Sequence, residues 1–166
     1  MSSANTHPVW YLNTPKPGRL ALTPCPGTKT VSLVDSLKQL SNNGAGAVIS
    51  LTTAAELAEK NLTQLPELVT ALGMRWLHLP VHEDEVPDLV CEDKWQANQV
   101  AMLTQLAHGK DVVIHCITGS GRTGLIAYRL LRALGVEPQQ AREQIKAVRP
   151  NAFTLPEQDD YIKRLG

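Results

Sequence analysis

Short apolar runs alternate along this chain with stretches whose apolar residues recur every three or four positions. Ala47-Val48-Ile49-Ser50-Leu51 and Asp111-Val112-Val113-Ile114-His115 are compact apolar segments between turn signals, which predicts strands buried on both faces. Arg19-Leu20-Ala21-Leu22 and Met74 to Leu79 read as two more strands, and Val9-Trp10-Tyr11-Leu12 as a short edge strand. Leu33, Val34, Leu37 and Leu40 share one face of a helix that Ser32 and Asp35 start and Asn42-Asn43-Gly44 ends. Thr53 and Glu56 form a capping-box pattern that opens a short helix, and Leu65, Leu68, Val69 and Leu72 make the next apolar face, stopped by Gly73. A long helix is predicted over roughly 92–107, and another from near Arg122 to Gly135. Pro138 opens the next, Arg149-Pro150 breaks it, and Thr154 with Glu157 offers a second capping box for a final helix through Tyr161.

Strands that alternate with helices imply an α/β fold with a mostly parallel central sheet flanked by helices on both faces. At 166 residues one domain over 1–166 is expected, with 1–18, which hold three of the eleven prolines, as an irregular N-terminal arm. Sixteen basic and sixteen acidic side chains cancel, so no broad cationic face is expected for nucleic acid or an anionic membrane. No run approaches the ~18 apolar residues of a membrane span, and the first eight residues lack the basic end and apolar run of a secretory signal. A soluble, cytoplasmic monomer is the expectation. Cys25, Cys91 and Cys116 fit neither a disulfide framework nor a zinc site, and His78, His82 and His108 lack metal-ligand spacing, so no metal or cofactor is expected. Buried structural thiols are the commoner fate of Cys25 and Cys91, with oxidative pairing to Cys116 as the alternative. Trp10, Trp76 and Trp95 read as core or half-buried anchors, and Trp95 also as a candidate wall of a pocket.

The chemistry concentrates in His115-Cys116-Ile117-Thr118-Gly119-Ser120-Gly121-Arg122-Thr123-Gly124, set between an apolar strand and a helix. A glycine-rich strand-to-helix loop lets successive backbone N–H groups turn inward, and the helix adds the positive end of its dipole. Ile117, Thr118, Gly119, Ser120 and Gly121 therefore read as a phosphate-binding loop. Arg122 can grip two phosphoryl oxygens with its planar fork. Cys116 stands at the mouth of that nest, where the thiolate is favoured, as a candidate nucleophile. His115, just before a buried turn, reads as scaffold in preference to base.

A cysteine, five residues, an arginine and a threonine, preceded by histidine, resemble the signature of the protein tyrosine phosphatase superfamily. Thr23-Pro24-Cys25-Pro26-Gly27, Val48 to Thr52 before Ala55-Glu56-Leu57, and Leu79-Pro80-Val81 before an acidic loop extend the likeness over about 20–160. This order is similar to the kinase-associated phosphatase group of the compact dual-specificity branch. The resemblance implies a cysteine-dependent, metal-free phosphomonoesterase acting through a cysteinyl-phosphate on phosphotyrosine, with phosphoserine and phosphothreonine as further substrates, so a phosphorylated protein is the expected partner. It places a general acid in His82 to Asp88. Glu83 has the register and Asp84 the usual side-chain length, both stay open, and Asp88 is third. It also implies that Thr123 donates to the departing sulfur, beside a helix-capping role, and that Gln158 positions water, for which a surface polar role on the last helix is the alternative. Other readings are a phosphate-binding pseudophosphatase, a thiol redox or sulfur-transfer protein, and a phosphatase for an inositol phosphate or RNA end. The presence of Cys116, Arg122 and Thr123 together weighs against the first two, and the lack of lysine in Ile117 to Gly121 against the third.

Overall fold

The computed structural model describes residues 6–165. Five strands form one sheet in the order β1-β2-β5-β3-β4. They are β1 (Trp10–Leu12), β2 (Leu20–Thr23), β3 (Ala45–Ser50), β4 (Arg75–His78) and β5 (Asp111–His115). All neighbours are parallel except the edge strand β1, which runs antiparallel to β2. Between β2 and β3, β5 is paired on both sides, which accounts for its unbroken apolar run.

Among the described residues seven helices cover the sheet: α1 (Leu33–Asn42), α2 (Ala54–Glu59), α3 (Leu65–Ala71), α4 (Leu89–Ala107), α5 (Gly121–Ala133), α6 (Pro138–Val148) and α7 (Pro156–Leu165). Successive strand residues point to opposite faces, so two cores form. Leu20, Leu22, Ile49, Val112 and Ile114 pack with Trp95, Met102, Leu125, Ile145 and Ile162 of α4 to α7. Ala21, Val48 and Val113 pack on the other face with Leu37, Leu40, Leu57, Leu65 and Val69 of α1 to α3. The mostly parallel sheet with helices on both faces is thus the expected α/β architecture.

Several boundaries differ from expectation, and three of the differences have a clear local cause. Helix α4 begins at Leu89, not near residue 92, because the Asp88 carboxylate caps it by accepting from the Cys91 N–H at 2.8 Å. Strand β3 starts two residues early, at Ala45, where a register irregularity between Ala45 and Ala47 joins it to β5. The expected Thr154–Glu157 capping box does not form. Thr154 Oγ1 donates instead to the Asn151 carbonyl, and the helix starts at Pro156, whose fixed φ and missing N–H suit a first helical position.

The described part of the N-terminal arm, 6–18, carries β1 and is tied down at both ends. His7 exchanges hydrogen bonds with the Gln39 side chain, and the Gly18 N–H donates to the Leu106 carbonyl. Residues 1–5 of the arm lie outside the described residues.

Candidate active site

The loop 116–120 leaves the carboxyl end of the central strand β5 and enters α5 at Gly121, so it lies where ligands gather in an open parallel sheet. Two glycines make its path available. Gly119 has φ +77°, and a Cβ there would stand 2.6 Å from the Thr23 carbonyl carbon, so the loop rests directly on the β2 backbone. A Cβ on Gly121 would meet Gln158 Nε2 at 3.0 Å. The first turn of α5 carries no carboxylate, which leaves its positive end open to an anion. Cys116, Thr118, Gly121, Arg122, Glu83 and Asp84 line one cleft of about 420 Å³ at this position.

The Cys116 sulfur is nearly enclosed, 2% exposed, and accepts from the Gly119 N–H at 3.3 Å and from Thr123 Oγ1 at 3.2 Å. Burial pushes its pKa up. The Thr123 hydroxyl and backbone, the Arg122 charge and the Gly119 N–H together outweigh that and hold the thiol below its ordinary value. The other two cysteines go the opposite way. Burial raises Cys25 to about 12 and Cys91 to about 11, which keeps both protonated at neutral pH.

Arg122 is held on one edge and open on the other. Nη1 donates to Glu56 Oε1 at 2.7 Å and to the Val81 carbonyl at 2.7 Å, while Nη2 donates to Glu56 Oε2 at 3.0 Å. That bidentate pair consumes the end of the guanidinium. The side edge, Nε–H with the second Nη2–H, has no partner among the described residues, which leaves a planar two-donor fork free. Burial lowers the Arg122 pKa, and Glu56 outweighs it, so the cation persists. In the sequence Glu56 read as a capping-box residue and as part of a segment that carries the family likeness. It does form that box with Thr53, but its carboxylate also aims Arg122 across 66 positions of chain, a role no local pattern announces.

His115 is fully enclosed, and its hydrogen bonds define one tautomer. Nδ1 lies 3.1 Å from the Cys116 carbonyl, which can only accept, so Nδ1 carries the proton. Nε2 then accepts from the Ser50 hydroxyl at 2.6 Å, and Ser50 Oγ in turn accepts from Trp76 Nε1–H at 2.9 Å. Burial drives the His115 pKa down to about 4. A neutral imidazole is thus held between the Cys116 carbonyl and the Ser50 hydroxyl. In the sequence Ser50 read as a strand residue and Trp76 as an anchor, and neither pattern announced this hydrogen-bonded chain.

The acidic loop forms a turn in which the Glu85 N–H donates to the His82 carbonyl, with Asp84 at φ +65° in third position and Glu83 in second. Both Glu83 and Asp84 reach the cleft, and the Glu83 charge acts on Arg122. Asp88 is spent as the α4 cap. Gln158 is 2% exposed on α7 and borders the cleft, so it is not a surface residue. Trp95 does not line the cleft. It packs in the core beneath Arg129, whose guanidinium carbon lies 5.7 Å from its ring centroid. Among the described residues no group of three or more His, Cys, Asp or Glu is placed to hold a metal ion. Nor is any helix among them long and apolar enough to cross a membrane.

Comparison with known proteins finds a family and a shared fold. The family model described as "Polymorphic toxin system, DSP-PTPase phosphatase" matches residues 25–134. Cyclin-dependent kinase inhibitor 3 of Rattus norvegicus is 28% identical over 150 residues, covering 86% of this chain and 69% of that protein. Its Mus musculus counterpart is 27% identical over 149 residues with the same coverage. Among solved structures, a kinase associated phosphatase with serine substituted for its catalytic-site cysteine superposes with a TM-score of 0.84 at 22% identity, covering 98% of this chain and 96% of that one. Tk-PTP in the active form gives 0.71 at 23% identity, covering 89% and 91%. At such identities these superpositions establish the shared fold.

Proposed function

Because the chain belongs to the DSP-PTPase phosphatase family of polymorphic toxin systems, a cysteine-phosphatase-type hydrolase, we propose that it cleaves phosphate monoesters of proteins through a phosphoryl group carried on Cys116. Phosphotyrosine is the first substrate proposed, with phosphoserine and phosphothreonine beside it. The observation that supports this most is the sulfur environment, where the Gly119 N–H and the Thr123 hydroxyl donate to Cys116 and the Arg122 charge acts on it, beside a cleft that the phosphate loop lines.

In the proposed first step the Cys116 thiolate attacks phosphorus in line with the ester oxygen. Inward N–H groups of 117–121 and the free edge of Arg122 hold the three remaining oxygens, where negative charge must be stabilised. The ester P–O bond breaks as the S–P bond forms, and Glu83 gives its proton to the leaving oxygen. In the second step the Glu83 carboxylate takes a proton from water as the water oxygen attacks phosphorus. The S–P bond breaks, phosphate leaves, and the Thr123 hydroxyl stabilises the departing thiolate. Gln158 borders the same space and orients that water. Glu83 is taken as the acid because it holds the expected register and lines the cleft, and Asp84, which lines the same cleft, is the alternative. The uncharged loop residues Ile117 to Gly121 suit one phosphoryl group better than a highly anionic inositol phosphate or RNA end.

Turnover of an aryl phosphate and a phosphoserine peptide by Cys116→Ser, Glu83→Gln and Asp84→Asn tests this reading. Cys116→Ser is expected to lose more than about a thousandfold in kcat. Glu83→Gln is expected to lose about a hundredfold on the peptide, whose alkoxide needs the proton, and much less on the aryl ester. A larger loss in Asp84→Asn moves the acid by one position. Phosphate binding without any turnover by the native protein means a binding module, and the hydrolase reading fails.

A further inference from the structure

A second arginine stands at this cleft, and nothing in the proposed chemistry uses it. Arg149 follows α6 and precedes Pro150. A residue before proline is driven out of helical geometry, and Arg149 accordingly has φ −130° and ψ 82°. This bend ends the helix and turns the side chain back to the phosphate loop. Nε donates to the Gly119 carbonyl at 3.1 Å and Nη2 to the Thr118 carbonyl at 2.8 Å, so one planar edge spans two consecutive peptide units. The guanidinium carbon lies 3.9 Å from the ring centroid of Trp10 on the edge strand β1. No carboxylate pairs with Arg149 among the described residues, unlike Arg122 with Glu56.

We propose that Arg149, seated on Trp10, is a positioning residue that holds the Thr118 and Gly119 carbonyls outward so that the loop's N–H groups stay turned in toward the phosphoryl oxygens. Flanking peptide groups of an anion nest must face away from the anion, because carbonyls aimed inward would repel it. Glycine makes Gly119 the easiest peptide of the loop to flip, and that is one of the two that the fork engages. A lysine could reach one carbonyl but could neither span both nor stack flat on the indole. Burial lowers the Arg149 pKa and the Cys116 charge raises it, so the clamp also adds positive potential near the sulfur. Through Trp10, the edge strand becomes part of the site even though it lies more than a hundred residues before the loop.

The proposal rests on the loop's binding a phosphoryl group, and it is measured without relying on turnover. Two readouts apply to the full chain: inorganic phosphate as a shield of Cys116 against iodoacetamide, and the pH dependence of that alkylation. Arg149→Met is expected to weaken phosphate shielding about tenfold. Arg149→Lys is expected to restore the alkylation pH profile but less than half of the shielding loss. Trp10→Leu should weaken shielding about threefold, and Trp10→Phe less. Shielding in Arg149→Met within about twofold of the native protein overturns the clamp, and full recovery by Arg149→Lys reduces it to a field effect and overturns it also. Should Arg149→Met fail to melt cooperatively, the Trp10 pair decides, and unchanged shielding in Trp10→Leu overturns the proposal. If phosphate shields native Cys116 but no ester is turned over, the hydrolase reading fails while the clamp is still tested. Absence of shielding in the native protein removes both.

Discussion

Single residues here are defined by what each of their atoms is left free to do. Arg122 gives its end edge to Glu56 and leaves its side edge free, and Cys116 stays below the ordinary thiol pKa only because several donors and the Arg122 charge outweigh its burial. His115 shows the same logic in titration. Its folded pKa of about 4 lies below the ordinary imidazole value of 6.5, so the neutral form contributes stability that is complete above pH 6.5. As pH falls toward 4 the unfolded chain takes up a proton that the folded chain refuses, which costs about 3 kcal/mol at most. His7 and His78, also lowered by burial, add in the same direction. Urea midpoints of the native protein should therefore drop between pH 6.5 and 4, and His115→Asn should drop less over that interval. Equal slopes would show that His115 is not held neutral.

At the scale of elements, two functions are layered on α2. Thr53 and Glu56 cap the helix, and Glu56 also aims Arg122. The two separate experimentally. Thr53→Ala removes the cap and should cost about 1 kcal/mol of stability, with kcat/KM changed by less than about threefold. Glu56→Gln should cost about tenfold or more in kcat/KM, because the buried guanidinium loses its ionic partner and its orientation. If both variants affect turnover alike, Glu56 acts only through the helix. The Thr53 box was legible because its donor and acceptor lie three residues apart. The similar Thr154–Glu157 spacing was not, since Pro156 took the first helical position and the Thr154 hydroxyl found Asn151. Likewise Asp88 looked like a spare acid of the loop until its carboxylate proved to be the α4 cap.

At the scale of the whole molecule, the alternation of apolar runs and helical faces carried the sheet, the two helical layers and the strand-to-helix loop. Pattern alone sufficed there because β3 and β5 are buried on both faces, and because Cys116, Arg122 and Thr123 lie within one loop and the first turn after it. Contacts made by topology stayed hidden. Glu56 to Arg122, Ser50 to His115 and Trp10 to Arg149 each join segments far apart in sequence, and each looks locally like a cap, a strand residue or an anchor. The sheet brings them together at the carboxyl edge of β5, around one sulfur. The most direct measurement is mass spectrometry of the protein quenched in acid during turnover of an aryl phosphate. One phosphoryl group on the peptide containing Cys116, absent in Cys116→Ser, is the expected result. Sustained turnover with no such adduct, unaffected by Cys116→Ser, would contradict it.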